Sequence, residues 1–182
     1  MTRGTHPDLS LSAFSGVGYD KGRNKVVQLA WMAISGITMQ WWVPSRVRNS
    51  ILRAFGAHIG ENVLIRHRVR IHWPWKLNVG ENSWIGEGVW ILNLEPVSIG
   101  ANVCVSQDVT LCTGSHQRQS PSFEFDNAPI RIDDGAWICI RATVLRGVRV
   151  GPHSVVGATA LVSSDVSAGE MVTASPGNVI RK

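Results

Sequence analysis

The feature that most constrains the fold of this chain is an aliphatic residue that recurs every six positions from Ile59 onward. A period of six fits neither the 3.6-residue period of an amphipathic helix nor the two-residue alternation of a half-buried strand. We interpret each repeat as a short strand and a corner, so that three repeats form one triangular coil and stacked coils bury a continuous core. The repeated positions are Ile59, Ile65, Ile71, Val79, Ile85, Ile91, Ile99, Val105, Leu111, Ile132, Ile138, Val144, Val150, Val156 and Val162, continued by Ala168, Ala174 and Ile180.

The repeat is interrupted at three places, all in the third repeat of a coil. The step to the next aliphatic residue grows from six to eight after Ile71 and again after Ile91, and to twenty-one after Leu111. The extra residues should therefore leave the prism along a single edge, which we call the insertion edge. Long excursions from a rigid scaffold often carry function, so the sequence predicts a site at this edge.

Residues 1–58 lie outside the repeat and are predicted to form a separate, partly helical cap, with residues 59–182 as the repeat domain and 117–127 as its excursion loop. The run 26–43 contains no charged residue, and basic residues flank it on both sides. Seven basic residues and two acids lie in 1–58, whereas the 11 basic and 11 acidic residues of 59–182 cancel, so the net charge of +5 belongs to the cap.

Two interpretations of this apolar, basic region remain open. Helices in the cap would cover the open end of the repeat domain, or residues 21–53 would contact a membrane surface, with Trp31, Trp41 and Trp42 at headgroup depth. A transmembrane span is disfavoured because polar residues dilute the run. Nucleic-acid binding is disfavoured because the repeat domain is neutral and has no recognised motif. With three cysteines and no secretion signal, we expect a cytoplasmic protein, or one peripheral at the inner face of the membrane.

Among six histidines, only His116 lies where the repeat is interrupted. Gly114 permits a close turn just before it, and the following loop carries Phe123 and Phe125, which can reach over a site. A neutral imidazole can take the proton of a hydroxyl as that hydroxyl attacks a carbonyl, so His116 is the candidate general base. Glu95, on the preceding insertion, is a candidate for orienting the imidazole, with a solvated edge carboxylate as the alternative.

The six-residue frame, the Thr-Gly-Ser-His at 113–116 and the ending at 176–181 together resemble the hexapeptide-repeat acyltransferase family. Residues 11–14, 74–77 and 84–90 are similar to the branch of colanic acid biosynthesis acetyltransferases. The resemblance implies a left-handed parallel β-helix of about six triangular coils. It also implies acetyl transfer from acetyl-CoA, as cosubstrate, to a hydroxyl of a small-molecule or lipid-linked sugar, by a homotrimer with active sites between subunits.

The resemblance further implies roles for single residues. The backbone near Ile140 would stabilise the oxyanion, and Asn93 would help to bind the acceptor, with a corner-forming asparagine as the alternative; Glu95 and Phe123 are further acceptor candidates. Many relatives have lysine at Ser164 and arginine at Asn178, and Arg141 or Arg146 could replace those phosphate contacts. Coenzyme A would contact Ala158, Ser163, Ser164, Asn178 and Arg181.

Other functions stay open at this point. The acceptor could be an antibiotic or another secondary metabolite instead of a sugar, and the protein could be a scaffold without catalysis. The spacing of His67 and His72 also suggests a zinc-dependent enzyme similar to the γ-class carbonic anhydrases. Stacking places His72 and His116 two coils apart, about 10 Å, which is too far for a compact zinc site within one chain. We therefore expect no metal.

Overall fold

The computed structural model describes residues 9–175 and is mainly β, with short strands that follow two helices. The helices are α1 (Lys25–Thr38) and α2 (Ser45–Ala54). The strands are β1 (His58–Ile59), β2 (Leu64–Ile65), β3 (Arg70–Ile71), β4 (Leu77–Val79), β5 (Trp84–Ile85), β6 (Trp90–Leu92), β7 (Val97–Ile99), β8 (Cys104–Val105), β9 (Thr110–Cys112), β10 (Ile130–Ile132), β11 (Trp137–Ile138), β12 (Thr143–Leu145), β13 (Arg149–Val150), β14 (Val155–Val156), β15 (Leu161–Val162) and β16 (Met171–Val172).

The strands stack into three parallel sheets that form the faces of a prism of about six coils. The first face contains β1, β4, β7, β10 and β13, the second β2, β5, β8, β11, β14 and β16, and the third β3, β6, β9, β12 and β15. Aliphatic residues stack in register, as where Ile59 pairs with Val79 and Val79 with Ile99. These side chains are buried, so the predicted β-helix with an aliphatic core is confirmed.

Close stacking of the coils explains the glycines at the corners. A Cβ atom on Gly80 would lie 2.5 Å from the carbonyl carbon of Gly100 in the next coil. Any larger side chain would therefore push two coils apart. Other corners use residues that tolerate a positive φ, such as Asn82 at 57° and Asn102 at 54°.

The three insertions leave the prism where the sequence places them. They follow β3, β6 and β9, all on the third face, and lead to β4, β7 and β10 on the first face. The insertion edge is thus the edge between the third face and the first.

The prediction for the last coil is wrong. Val166 occupies the core position in register with Val150, whereas Ala168 is exposed. The chain steps four residues from Val162 instead of six, because the corner is two residues shorter and turns Val166 inward. Ala174 packs against the core, and Ile180 lies outside the described residues.

Helices α1 and α2 cap the first coil of the prism. The side chain of Asn24 accepts a hydrogen bond from the Val27 amide at 3.0 Å and starts α1, and α2 begins just after Pro44. Leu52 of α2 is fully buried, and the side-chain amide of Asn49 donates to the Val63 carbonyl at 2.7 Å. The prediction of an N-terminal segment that is partly helical is confirmed. No helix within residues 9–175 is both long and apolar enough to cross a membrane.

Trp31 belongs to this cap instead of to a membrane surface. Its indole is 2% exposed and donates to the carbonyls of Ile71 and His72 at 3.2 and 3.1 Å. The cap thereby satisfies backbone groups that an open coil would leave unpaired. The prediction that Trp31 lies at headgroup depth is therefore wrong, whereas Trp41 and Trp42 are 76% and 57% exposed.

Candidate active site

The excursion loop folds back on itself as a hairpin at the insertion edge. His116 forms an antiparallel bridge with Phe125, and the Gln117 amide donates to the Glu124 carbonyl at 2.8 Å. Gly114 lies at its base, where a Cβ atom would stand 2.7 Å from Leu94 Cδ1. The absence of that Cβ lets the second insertion pack against the loop.

Within this hairpin, His116 is held in one tautomer. Its Nδ1 lies 2.8 Å from the backbone carbonyl oxygen of Phe123. A carbonyl only accepts hydrogen bonds, so Nδ1 of the neutral imidazole must carry the proton, which leaves a lone pair on Nε2. This is the protonation state that a general base needs. The orienting partner is the Phe123 carbonyl, so the interpretation of Glu95 in that role is not supported.

Aromatic rings fix the plane of the imidazole. The Phe123 ring stacks on it with centroids 4.3 Å apart and planes 6° apart, and Phe125 stacks at 5.2 Å. Phe14 meets its edge at 5.7 Å. Phe123, a candidate acceptor contact in the sequence, is thus a packing partner of the catalytic candidate.

Residues 9–23 form a strap along the insertion edge. The Ser10 amide donates to the Pro121 carbonyl at 2.9 Å. The Tyr19 ring lies 5.1 Å from that of Phe125, and its hydroxyl accepts from the Trp73 indole. The Trp75 indole then donates to the Lys21 carbonyl at 2.6 Å. The strap therefore ties the excursion loop to the first insertion. Its only sign in the sequence is the family resemblance of residues 11–14.

Glu124 fastens the strap to the loop. Its carboxylate accepts from the Ser15 amide at 3.0 Å, the Ser15 hydroxyl at 2.9 Å and the Gly16 amide at 3.1 Å. The hydrogen bond from the Ser15 amide makes the largest contribution to holding the pKa of Glu124 below its usual range. Phe14, next to Ser15, is thereby kept against His116.

The substitution Glu124→Gln should loosen the strap, because the amide side chain loses the charge and one acceptor oxygen. We expect faster hydrogen exchange at Ser15 and Gly16, measured by NMR at constant pH, and no change in the control Glu61→Gln, an exposed corner residue. Since the folded-state pKa is lowered, the contact should be intact above the ordinary carboxyl pKa and weaken as the pH falls through the lowered pKa. Unchanged exchange in Glu124→Gln would contradict this role.

His116 lines an open cavity of about 710 Å³ beside the loop. Its other lining residues are polar or charged, namely Gln117, Arg118, Gln119, Ser120, Asp126 and Arg146. Arg146 pairs with Asp126. Hydrogen-bond donors and acceptors, with both positive and negative charges among them, therefore surround the imidazole. This environment suits a polar, hydroxyl-bearing ligand.

Asn93 does not reach this cavity as a free ligand group. It is fully buried, its Nδ2 donates to the Trp73 carbonyl at 2.6 Å, and its Oδ1 accepts from the Trp73 amide at 2.9 Å. The geometry favours the corner-forming alternative over contact with an acceptor.

Asn93→Ala should lower the free energy of unfolding by about 2 kcal/mol, since it leaves the buried amide of Trp73 unpaired and removes one of the two donors to the Trp73 carbonyl, which keeps the Lys76 amide. Urea unfolding of this variant beside Asn78→Ala, whose side chain is exposed on β4, measures the difference. A stability equal to that of the control would argue that Asn93 has no structural role.

The remaining predicted contacts lie on two edges of the prism. Ile140 and Ala158 are at the corner between the second and third faces, where Ile140 is 43% exposed. Ser163 and Ser164 follow β15 and are exposed on the insertion edge, two coils beyond His116. Within one chain, Ile140 and Ala158 therefore lie the width of one face away from the His116 imidazole. Asn178 and Arg181 lie outside the described residues.

The two histidines that suggested a zinc site, His67 and His72, do not belong to a metal-ligand cluster among the described residues. His67 Nε2 lies 3.2 Å from a carboxylate oxygen of Glu87, and burial lowers the pKa of His72, which packs against the ring of Trp73. No cluster of three or more histidine, cysteine or acidic side chains in residues 9–175 could hold a metal ion.

Comparison with known proteins gives no match to a protein-family model but clear relatives. The chain is 37% identical, over 94% of its length and 96% of the relative, to "Putative colanic acid biosynthesis acetyltransferase WcaF" of Escherichia coli (strain K12). It is 30% identical to galactoside O-acetyltransferase of the same organism, over 76% of this chain and 71% of that protein.

Solved structures share the fold. A hexapeptide-repeat acetyltransferase of Vibrio cholerae O1 biovar eltor, crystallised with acetyl-CoA, superposes with a TM-score of 0.77 at 22% identity, covering 95% of this chain and 98% of that one. Galactoside acetyltransferase in complex with coenzyme A gives 0.75 at 24% identity, with 86% and 80% covered.

Proposed function

Because the chain belongs to the hexapeptide-repeat acetyltransferase family, we propose that it transfers an acetyl group from acetyl-CoA to a hydroxyl of a sugar or polysaccharide precursor. The observation that carries this proposal is the Nδ1 hydrogen bond of His116 to the Phe123 carbonyl, which leaves Nε2 as a base beside a polar cavity. The relatives named for galactoside O-acetylation and for colanic acid biosynthesis support the sugar acceptor.

In the proposed step, Nε2 of His116 takes the proton of the acceptor hydroxyl while the hydroxyl oxygen attacks the thioester carbonyl. A carbon–oxygen bond forms, the carbon–sulfur bond breaks, and the imidazolium returns its proton to the departing thiolate. The Phe123 carbonyl would stabilise the imidazolium through the proton on Nδ1. The amide of Ile140 is the proposed oxyanion donor, since it has no hydrogen-bond partner within the described part of the chain.

We propose that the site forms between copies in a homotrimer. His116 and Ile140 lie on different edges of one prism, so a neighbouring copy must supply one of them. Large apolar side chains on the second face support association: Trp84, Trp137 and Met171 are 59%, 49% and 66% exposed. Sedimentation should give three times the chain mass of 19.9 kDa. Trp84→Glu should dissociate the assembly while Asn78→Glu on the first face does not, and a monomeric wild type would contradict the proposal.

The acceptor is best identified by reaction products. Purified protein is incubated with acetyl-CoA and a panel of free sugars, nucleotide sugars, lipid-linked sugars and small-molecule alcohols, and the products are read by mass spectrometry. The proposal expects an O-acetylated sugar. Acetylation confined to antibiotics or other secondary metabolites, or to amines, would overturn the sugar assignment. The proposed compartment is the cytoplasm, which suits an odd number of cysteines.

A further inference from the structure

Helix α1 has one buried side and one apolar side that faces solvent. Trp31 packs against the first coil, whereas on the opposite side Val26, Leu29, Met32 and Ile37 are 75%, 64%, 64% and 60% exposed. No charged residue occurs in α1 beyond Lys25 at its start. Exposed apolar side chains that adjoin one another in this way typically mark an interaction surface.

Two tryptophans extend the apolar surface past the end of the helix. Trp41 and Trp42 are 76% and 57% exposed, although the neighbouring Met39 and Val43 are buried in the cap. Exposed indoles next to an apolar helix face are characteristic of the boundary between water and lipid, where an apolar ring with a polar N–H is best accommodated.

Charge indicates which partner covers this surface. Lys21, Arg23 and Lys25 are exposed before the apolar face, and Arg46 is exposed after the tryptophans. The acidic residue of this region, Asp20, accepts a hydrogen bond from the Gly22 amide at 2.7 Å and is the sole acid between residues 9 and 58. Cations at both ends of an apolar face complement a surface of anionic headgroups over an apolar interior.

We propose that α1, together with Trp41 and Trp42, docks on an anionic lipid surface. Val26, Leu29, Met32 and Ile37 enter the boundary between headgroups and acyl chains, and the flanking cations contact the headgroups. Trp31 takes no part, because it anchors the helix to the first coil. This docking uses no group of the proposed reaction, so its test is independent of that reaction.

The test is cosedimentation of the purified full chain with phosphatidylcholine vesicles that contain or lack phosphatidylglycerol. Wild type should bind the anionic vesicles at low salt, bind them less at high salt, and bind the neutral vesicles weakly. The double variant Leu29→Glu/Met32→Glu should lose at least about tenfold in partitioning, because each carboxylate would have to enter the apolar boundary. Leu11→Glu is the matched control, since Leu11 is 64% exposed like Leu29 but lies in the strap.

A second variant, Trp41→Ser/Trp42→Ser, should show the same loss and guards against misfolding of the first. Failure of wild type to bind anionic vesicles at low salt would overturn the proposal, as would undiminished binding by both double variants. A change in oligomeric mass of Leu29→Glu/Met32→Glu without lipid would assign the face to a second copy of the chain and would equally overturn it.

Discussion

Replacing His116 by alanine is expected to lower kcat for acetyl transfer by about 10²–10⁴-fold, the usual contribution of a positioned general base. The reason is geometric: the Phe123 carbonyl holds the proton on Nδ1, and stacked rings keep Nε2 in place beside the cavity. Alanine removes the base but none of the cavity's charged groups. Steady-state release of coenzyme A with the best acceptor from the panel measures the effect.

The matched control is His58→Ala, because His58 is exposed on β1, two coils before His116. It should retain wild-type turnover. Calorimetric titration should show that His116→Ala still binds acetyl-CoA, which separates loss of the base from loss of the donor site. Wild-type kcat in His116→Ala would remove the general-base role, whatever the acceptor.

Replacing Arg48 by methionine should lower the free energy of unfolding by about 4 kcal/mol. Arg48 is 2% exposed and donates only to backbone carbonyls, those of Thr38, Gln40, Val43 and Ile65. It thereby joins the end of α1 to the first coil. Methionine fills much of the volume but removes the donors to the carbonyls of Thr38, Val43 and Ile65, at about 1–3 kcal/mol for each one that water cannot reach. The Gln40 carbonyl keeps the Val43 amide as a donor.

Burial lowers the pKa of Arg48 from its usual value, yet its hydrogen bonds use four of the five N–H donors of a guanidinium. The control is Arg46→Met, an exposed position on the same helix, which should change stability by less than about 0.5 kcal/mol. Urea unfolding of both variants gives the comparison. Equal stability of Arg48→Met and Arg46→Met would show that the cap does not depend on this residue.

The fold could be predicted from the sequence wherever core packing imposes a periodic requirement on residue type. Each core position of the repeat must be aliphatic to fill the prism, so the frame from Ile59 to Val162 identified strands, faces and the insertion edge. The six-residue spacing gave the wrong core residue at Ala168, because a corner shortened by two residues shifts the register and no residue type marks such a corner. Residue spacing alone could not show that Val166 turns inward.

The candidate site was only partly predictable, because its contacts join distant, aperiodic segments. His116 could be found because it interrupts the repeat. The hydrogen bonds between Ser15 and Glu124 span 109 residues and follow no pattern. The family resemblance suggested an acceptor contact for Asn93, but its burial depends on how the first insertion folds beneath it.

The most direct test of the catalytic account is the protonation of the His116 imidazole at neutral pH. Nitrogen-15 NMR of histidine-labelled protein, with His116→Ala to assign the resonances, reports on each ring nitrogen. We expect a protonated Nδ1 and an unprotonated Nε2. A neutral ring with its proton on Nε2 would contradict this expectation, because the nitrogen facing the acceptor would then have no lone pair to accept a proton.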